Sequence, residues 1–390
     1  RDLLAQGRFR GRAAVLSLPA SCMFIQHLRL PKMDEEALKK ALPWEARGKL
    51  PIDPSQALLR HLVAGEIYQD QEPKNEVIVM AAGRELVTQY LATAAKAKLD
   101  VVGMNVEPKA LVDCFSHVFR RKTDSEATNC FVDIGCVGAR VVIARGGQIL
   151  FARVIPIGGE HFNRAVAAAL KINPEDAKLL RIKLCAMQPA LDEHRQRQEL
   201  APSQPAPTPA PAVAPDPAAV DGEENSFALL GAGMAASRKR DAEMPRPAAP
   251  SQPIASVPAE TDTNNQVRAV EQACREPLGK LVAELDMCRR YHEATFPSMP
   301  VDRLVFVGGE ARHRSLCQYV AREMGLAAQV GDPMVRMGRV SEIGIESGID
   351  RRQAQPAWSV AIGLSMGPAD ASTGGGGAPS STPVVAGAQS

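Results

Sequence analysis

Alternating apolar and polar positions predict two strands near the start of the chain, Arg12 to Leu18 and Cys22 to Leu30, joined at Pro19 to Ser21 and closed by Pro31. The period then lengthens. Asp34 reads as the cap of a helix with Glu35 and Glu36 in its first turn and Ala37, Leu38, Ala41 and Leu42 on its apolar face, with a kink expected at Pro43 before Trp44-Glu45-Ala46. Leu58 to Gly65 and Glu76 to Ala82 read as strands around a polar loop from Gln69 to Asn75, and Arg84 to Lys98 as an amphipathic helix. A strand over Val101 to Val106 leads into a helix to about Arg120, opened by Glu107-Pro108 with proline at its tolerated first-turn position.

The next stretch is more apolar. Cys130 to Ile134, Ala139 to Ala144 and Ile149 to Ile157 are separated by Gly135-Cys136-Val137-Gly138 and by Gly146-Gly147, which predicts an antiparallel meander with two tight turns. Gly158-Gly159 releases the chain into a helix carrying Phe162, Val166 and Leu170, and Asn173-Pro174-Glu175-Asp176 opens another to about Met187. From Gln188 to about Asp262 the composition changes. Twelve of the 30 prolines lie between Pro202 and Pro258, so this segment has too little to bury and reads as a disordered insertion. Its one apolar island, Phe227-Ala228-Leu229-Leu230 before Arg238-Lys239-Arg240, reads more readily as a fluctuation than as a docking motif.

Order is expected to return with a long helix from about Gln266 to His292, interrupted at Pro277. A strand from Arg303 to Val307 follows, ending in Gly308-Gly309-Glu310, then a helix from Arg314 to Met324 and a short strand from Ala328 to Val330. The last helix, Trp358 to Met366, carries Gly363 and Ser365, small enough for close backbone approach, and Ala369 to Ser390 reads as a flexible tail.

Charge excludes some functions. With 46 Lys and Arg against 44 Asp and Glu, no global field draws the chain onto nucleic acid or an anionic membrane. No apolar run of about 18 residues is present, so direct membrane insertion is not expected and membrane contact would come through a partner. The eight cysteines form no C-x-x-C pair, which argues against zinc and places them as small buried hydrophobes in a reducing cytosol.

Three glycine turns carry the candidate chemistry. Asp133-Ile134-Gly135-Cys136-Val137-Gly138 leads a strand into a turn whose amides can converge on an anion while Asp133 faces it, a geometry suited to a nucleotide phosphate with hydrated Mg²⁺. Val305-Phe306-Val307-Gly308-Gly309-Glu310 repeats that logic before a helix N-terminus. With Gly158-Gly159 the turns are expected to mark one cleft, Asp133 and Gly308 facing each other across it. No catalytic residue is assigned: Glu107 reads as a helix-start carboxylate against the dipole, and no Ser or His spacing points to a nucleophile.

The order of these pieces resembles the actin and Hsp70 ATPase superfamily, and the details resemble the PilM family of type IV pilus assembly proteins. They are Ser17-Leu18-Pro19, Leu28-Arg29-Leu30-Pro31, Trp44-Glu45-Ala46, Pro51-Ile52-Asp53, Val106-Glu107-Pro108, Val132-Asp133-Ile134-Gly135, Pro156-Ile157-Gly158-Gly159 and Val307-Gly308-Gly309. FtsA of cell division and the secretion protein GspL share that fold and are the alternatives, as is an active ATPase or kinase. The resemblance implies an α/β (α+β) chain with an actin-like two-lobed fold. Its nucleotide site would hold ATP with Mg²⁺ at Asp133, Gly135, Gly138, Gly158, Gly159, Gly308, Gly309 and Glu310, the cation reaching Asp133 through water. It also implies a PilN-like inner-membrane partner held by its cytoplasmic N-terminal peptide, contact with other pilus assembly proteins, and a place on the inner face of the inner membrane.

Three departures bear on catalysis. Arg1 to Gly11 holds no D-x-G hairpin, Cys136 to Arg140 holds no hydroxylated or acidic residue, and the A-E-x-x-K pattern of nucleotide-binding relatives reads Ala177-Lys178-Leu179-Leu180-Arg181. They predict a scaffold in which hydrolysis is weak or absent. The expected division is 1–10, a remnant of the hairpin region; 11–105, the PilM/FtsA-type subdomain of lobe I; and 106–127, a connecting helix. Lobe II follows as 128–187 and 263–367, split by the insertion at 188–262, with the tail at 368–390.

Overall fold

The computed structural model describes residues 11–116, 122–200, 260–335 and 353–366, with the single residues 4, 119 and 337. The N-terminal remnant, most of the insertion with its Phe227 island, and the tail lie outside these residues. The chain divides into one unit of Arg1–Gln188 with Asn265–Ser390 and a second of Pro189–Asn264, of which only the ends of two helices are described.

In the first unit, β1 (Ala13–Ser17) and β2 (Phe24–Pro31) enter different sheets. β1 pairs in parallel with β5 (Asp100–Asn105), whereas β2 joins β3 (Ala57–Gln69) and β4 (Glu72–Gly83) in the antiparallel order β2-β4-β3. The polar loop expected at Gln69 to Asn75 is a correction. β3 and β4 run on into a two-residue turn, Asp70-Gln71, both at positive φ (54° and 65°), the handedness that matches the twist of a hairpin. Helix α1 (Glu35–Glu45), capped by Asp34 accepting the Ala37 amide, runs through Pro43 and lays Leu38 and Leu42 on Leu28, Leu30, Val77 and Val79. Helix α2 (Arg84–Lys96) follows β4.

The larger sheet has the order β10-β9-β6-β7-β8. β6 (Thr128–Ile134), β7 (Ala139–Arg145) and β8 (Gln148–Ile155) form the expected antiparallel meander, and β9 (Arg303–Val307) and β10 (Ala327–Val330) extend it in parallel beyond β6. Successive residues of its central strands enter opposite cores. Val132, Ile134, Val141, Ile143 and Phe306 pack with Phe162 and Val166 of α5 (Gly159–Leu170), Leu281 of α7 (Glu260–Thr295) and Val320 of α8 (Arg314–Met324). Phe131, Val142, Val305 and Val307 pack with Leu111 and Phe115 of α3 (Glu107–Ser116) and Ile362 of α9 (Ser359–Ser365). A sheet covered on both faces needs such unbroken apolar strands.

α3 and α9 cross closely because Gly363 has no side chain: a Cβ there would overlap the Ala110 carbonyl oxygen. Two other helices differ from expectation. α6 (Pro174–Leu200) continues past Met187 into the segment read as insertion, where Leu191 to Leu200 is rich in helix formers, and the five-residue α4 (Lys122–Glu126) had no pattern to announce it.

Candidate functional site

The three glycine turns meet at the C-terminal ends of β6 and β9. Asp133 and Gly308 touch but do not oppose each other across a cleft: Asp133 pairs in register with Val307 on the adjacent parallel strand, and its Oδ1 lies against the Gly308 backbone. Gly308, at φ 86°, takes a conformation that side chains resist, and a Cβ there would strike Asp133 and the Ile134 carbonyl. Gly158 is packed as tightly, since a Cβ would come within 2.7 Å of the Gly135 and Cys136 carbonyl oxygens and the Gly138 nitrogen. Gly159 lies beside Glu310, Gly138 lies against the Ile155 carbonyl, and Gly309 faces open space.

Several of the amides at these turns are engaged within the protein. Gly135 donates to the Gly138 carbonyl at 3.0 Å, Gly159 to Gly135 at 2.9 Å, Glu160 to Cys136 at 2.8 Å and Gly308 to Pro356 at 3.0 Å. Gly158 donates to Nδ1 of His161 at 3.2 Å. The glycines therefore serve backbone-to-backbone packing, and five of the donors that an anion would need already have protein acceptors.

Side chains complete the arrangement. Arg140, directly across the β6–β7 pair from Asp133, places Nη2 2.8 Å from Asp133 Oδ2 and donates from Nη1 to Glu107 Oε2 at 2.8 Å. All three are largely buried; the Asp133 side chain is 3% exposed. Burial opposes the Arg140 charge, but the Asp133 and Glu107 carboxylates outweigh it and hold the guanidinium above its ordinary value. Burial pushes the Glu107 carboxyl up, and Asp133 adds to that while Arg140 opposes it. Glu107 does begin α3, as expected, but its carboxylate spans to Arg140, a role the sequence did not assign. The remaining oxygen, Asp133 Oδ1, is buried without a partner.

A second arginine closes the other side. Arg181 of α6 is paired with Glu310, donates to Asn163 Oδ1 at 2.6 Å and to the Gly159 carbonyl at 3.3 Å, and lies over the Phe162 ring at 5.3 Å. Glu310, expected at the nucleotide, is thus held by an internal cation. His313 sits 3.7 Å from Glu310; burial and the nearby Arg181 push its pKa down to about 4, so it is neutral at pH 7. Lys178 makes a surface pair with Glu175.

Tested against this geometry, a hydrated Mg²⁺ does not fit at Asp133. The only carboxylate oxygen of Asp133 without a partner is pressed against Gly308, its other oxygen holds Arg140, and the amides of Gly135, Gly158, Gly159 and Gly308 already have acceptors within the protein. Among the described residues no cluster of three His, Cys, Asp or Glu could hold a metal. The eight residues expected at the site do come together; Arg140, Arg181, Asn163 and His313, which close it, were not among them. The Asp133–Arg140 contact had a signal: a four-residue turn from Gly135 to Gly138 puts residues 133 and 140 opposite each other.

A groove lies elsewhere in the same unit, between the β1–β5 pair, β3–β4 and α2. Leu18, Met23, Met80, Ala82, Val87 and Met104 line it, with Arg60 and Asn105 as polar members, and it encloses about 90 Å³.

A family model described as type IV pilus assembly protein PilM matches residues 1–188, and one described as cell division protein FtsA matches residues 130–363. Among solved structures, the PilM-PilN type IV pilus biogenesis complex is similar at 18% identity and TM-score 0.62, over 94% of this chain and 82% of that one, which establishes a shared fold. EutJ from Carboxydothermus hydrogenoformans (13% identity, TM-score 0.36, 72% of this chain and 60% of that one) is more distant. So is MreB5 of Spiroplasma citri bound to ADP (12% identity, TM-score 0.35, 72% and 64%). No curated protein matches the sequence.

Proposed function

The chain belongs to the PilM-like branch of the actin-like ATPase superfamily, and on that premise we propose that it is a scaffold of type IV pilus assembly. It captures a short peptide from the cytoplasmic N-terminus of a PilN-like inner-membrane protein and presents its remaining surface to other pilus assembly proteins. The groove lined by Leu18, Met23, Met80 and Met104 carries the reading. Its enclosed volume is too small for a nucleotide and suits one anchoring side chain of an extended peptide. Three methionines let it adapt to that side chain, and Arg60 offers a cation to an acidic neighbour on the peptide. Leu58, which also lines the groove, is exposed and extends the apolar surface.

Among the described residues no helix is long and apolar enough to cross a membrane. Attachment to the inner face of the inner membrane would come from the captured partner. Mg²⁺ at Asp133 has no part in the proposal, because that carboxylate and Glu107 are held by Arg140.

Calorimetric titration with a synthetic peptide covering the N-terminus of a PilN-like protein tests this. Binding is expected without nucleotide, and Met104→Glu should weaken it at least about tenfold, the cost of facing a carboxylate with an apolar anchor. A peptide that binds equally well to Met104→Glu would move the site out of the groove and overturn the assignment.

A further inference from the structure

The disagreement between the occupied carboxylates and the bound Mg²⁺ implied by the fold family reaches beyond peptide capture. We propose that Arg140 is a resident cation: its guanidinium stands between Asp133 and Glu107 where a hydrated divalent metal would otherwise neutralise them, so the start of α3 is tied to the β6–β7 hairpin by protein alone.

The placement supports this at each contact. Asp133 ends β6, Arg140 begins β7 directly opposite it, and Glu107 starts α3, the helix that follows the first subdomain. Both guanidinium contacts are 2.8 Å, one to each carboxylate. A planar fork with fixed donors can hold two carboxylates at once, which a lysine ammonium on its flexible stem does less well. The side chain passes Gly135, where a Cβ would lie 3.3 Å from Arg140 Nη2, so the first glycine of the turn leaves space for the arginine. Arg181 on Glu310 repeats the device on the adjoining side.

An actin-like protein of this kind would not change state with nucleotide. A ligand shifts a conformational equilibrium only through its differential affinity for the two states, and here the carboxylates and amides that would supply that difference are already occupied. Peptide capture is read at a different groove, so the failure of one proposal leaves the other standing.

The experiment compares the wild-type chain with Arg140→Ser, which removes the cation and supplies a hydroxyl. Wild type is titrated with Mg-ATP, and both are titrated with Mn²⁺ followed by its electron paramagnetic resonance. Wild type should show no saturable binding of either up to about 1 mM. Arg140→Ser should gain one Mn²⁺ site, with a rise of about 3 °C in unfolding midpoint at tenfold excess over its dissociation constant, and adding Asp133→Asn should abolish both. Micromolar Mg-ATP binding by wild type overturns the proposal, as does a folded Arg140→Ser that takes up no Mn²⁺. Should Arg140→Ser fail to fold, the wild-type titrations decide, together with a neutral set of Arg140→Met, Asp133→Asn and Glu107→Gln. That set should fold and remain blind to Mn²⁺; if it binds Mn²⁺ as wild type does not, the carboxylates are not the site and the proposal falls.

Discussion

Acid should destabilise this protein through one histidine above all, and the size of the effect can be worked out. His313 is 16% exposed, lies 3.7 Å from Glu310 and close to Arg181, and titrates in the folded state near 4 against an ordinary value of 6.5. Because the folded pKa is depressed, the unfolded chain binds the extra proton between those values, so stability is full above pH 6.5 and falls as pH drops toward 4. At pH 4.5 the unfolded imidazole is almost fully charged and the folded one mostly neutral, which removes about 2.5 kcal/mol. With a urea slope of about 3 kcal/mol/M, that is a midpoint fall of about 0.8 M relative to pH 7. Other groups titrate too: burial also holds the buried His292 below its ordinary value. The informative quantity is therefore the difference between wild type and His313→Gln, measured by urea unfolding at pH 7.0, 6.0, 5.2 and 4.5. The variant should lose about 0.8 M less than wild type over that range. Parallel curves would mean that the folded protein accepts the proton on His313, and the burial reasoning would be refuted.

Two further outcomes follow from packing and charge. Gly363→Ala drives a methyl into the Ala110 carbonyl between α3 and α9; rigid helices give way at a cost of about 1–3 kcal/mol, seen as a calorimetric midpoint lowered by several degrees, and an unchanged midpoint would show that the helices part freely. Glu76 is fully buried with His27 at 3.0 Å, Arg29 at 3.3 Å and the Tyr291 hydroxyl at 2.7 Å, so Glu76→Gln should cost about 3 kcal/mol at pH 7. Burial would raise the Glu76 carboxyl, but the bonds from His27 and Tyr291 outweigh it and hold the pKa below 4.5; its contribution is present above that value and lost as pH falls below it. The variant should accordingly unfold less steeply with acid below pH 4.5 than wild type, and an identical acid limb would argue against an ionised Glu76.

Much of the fold was legible because local chemistry and tertiary need agreed. The β6–β8 meander declared itself through unbroken apolar runs and glycine turns, and Asp34 and Asn173 marked helix starts where their side chains do accept the Ala37 and Asp176 amides. The β3–β4 hairpin was missed where the two disagreed. Asp70-Gln71 holds positive φ at both positions without glycine, so the sequence offered a polar loop where a tight turn exists. Nor could local pattern assign β1 and β2 to different sheets, since both read as short strands and their partners lie far along the chain.

The candidate site shows a sharper division. Glycines that allow backbones to touch were readable one at a time, because what Gly158 or Gly308 permits is local. What fills the site is collective. Arg140 and Arg181 read as departures from a pattern, and only their partners turn them into components. Once Asp133, Arg140 and Glu107 are buried together, they can be judged only as a set. Removing Arg140 leaves two buried carboxylates without a cation, removing either carboxylate leaves a neutral pair, and replacing all three with neutral groups of similar volume removes the burden as well as the attraction. Neutralising Arg140 alone should therefore cost far more than neutralising all three together, and a scan of one residue at a time would assign Arg140 a share of stability that it does not hold alone. The two carboxylates need a cation, and an arginine across the hairpin supplies it without any ligand.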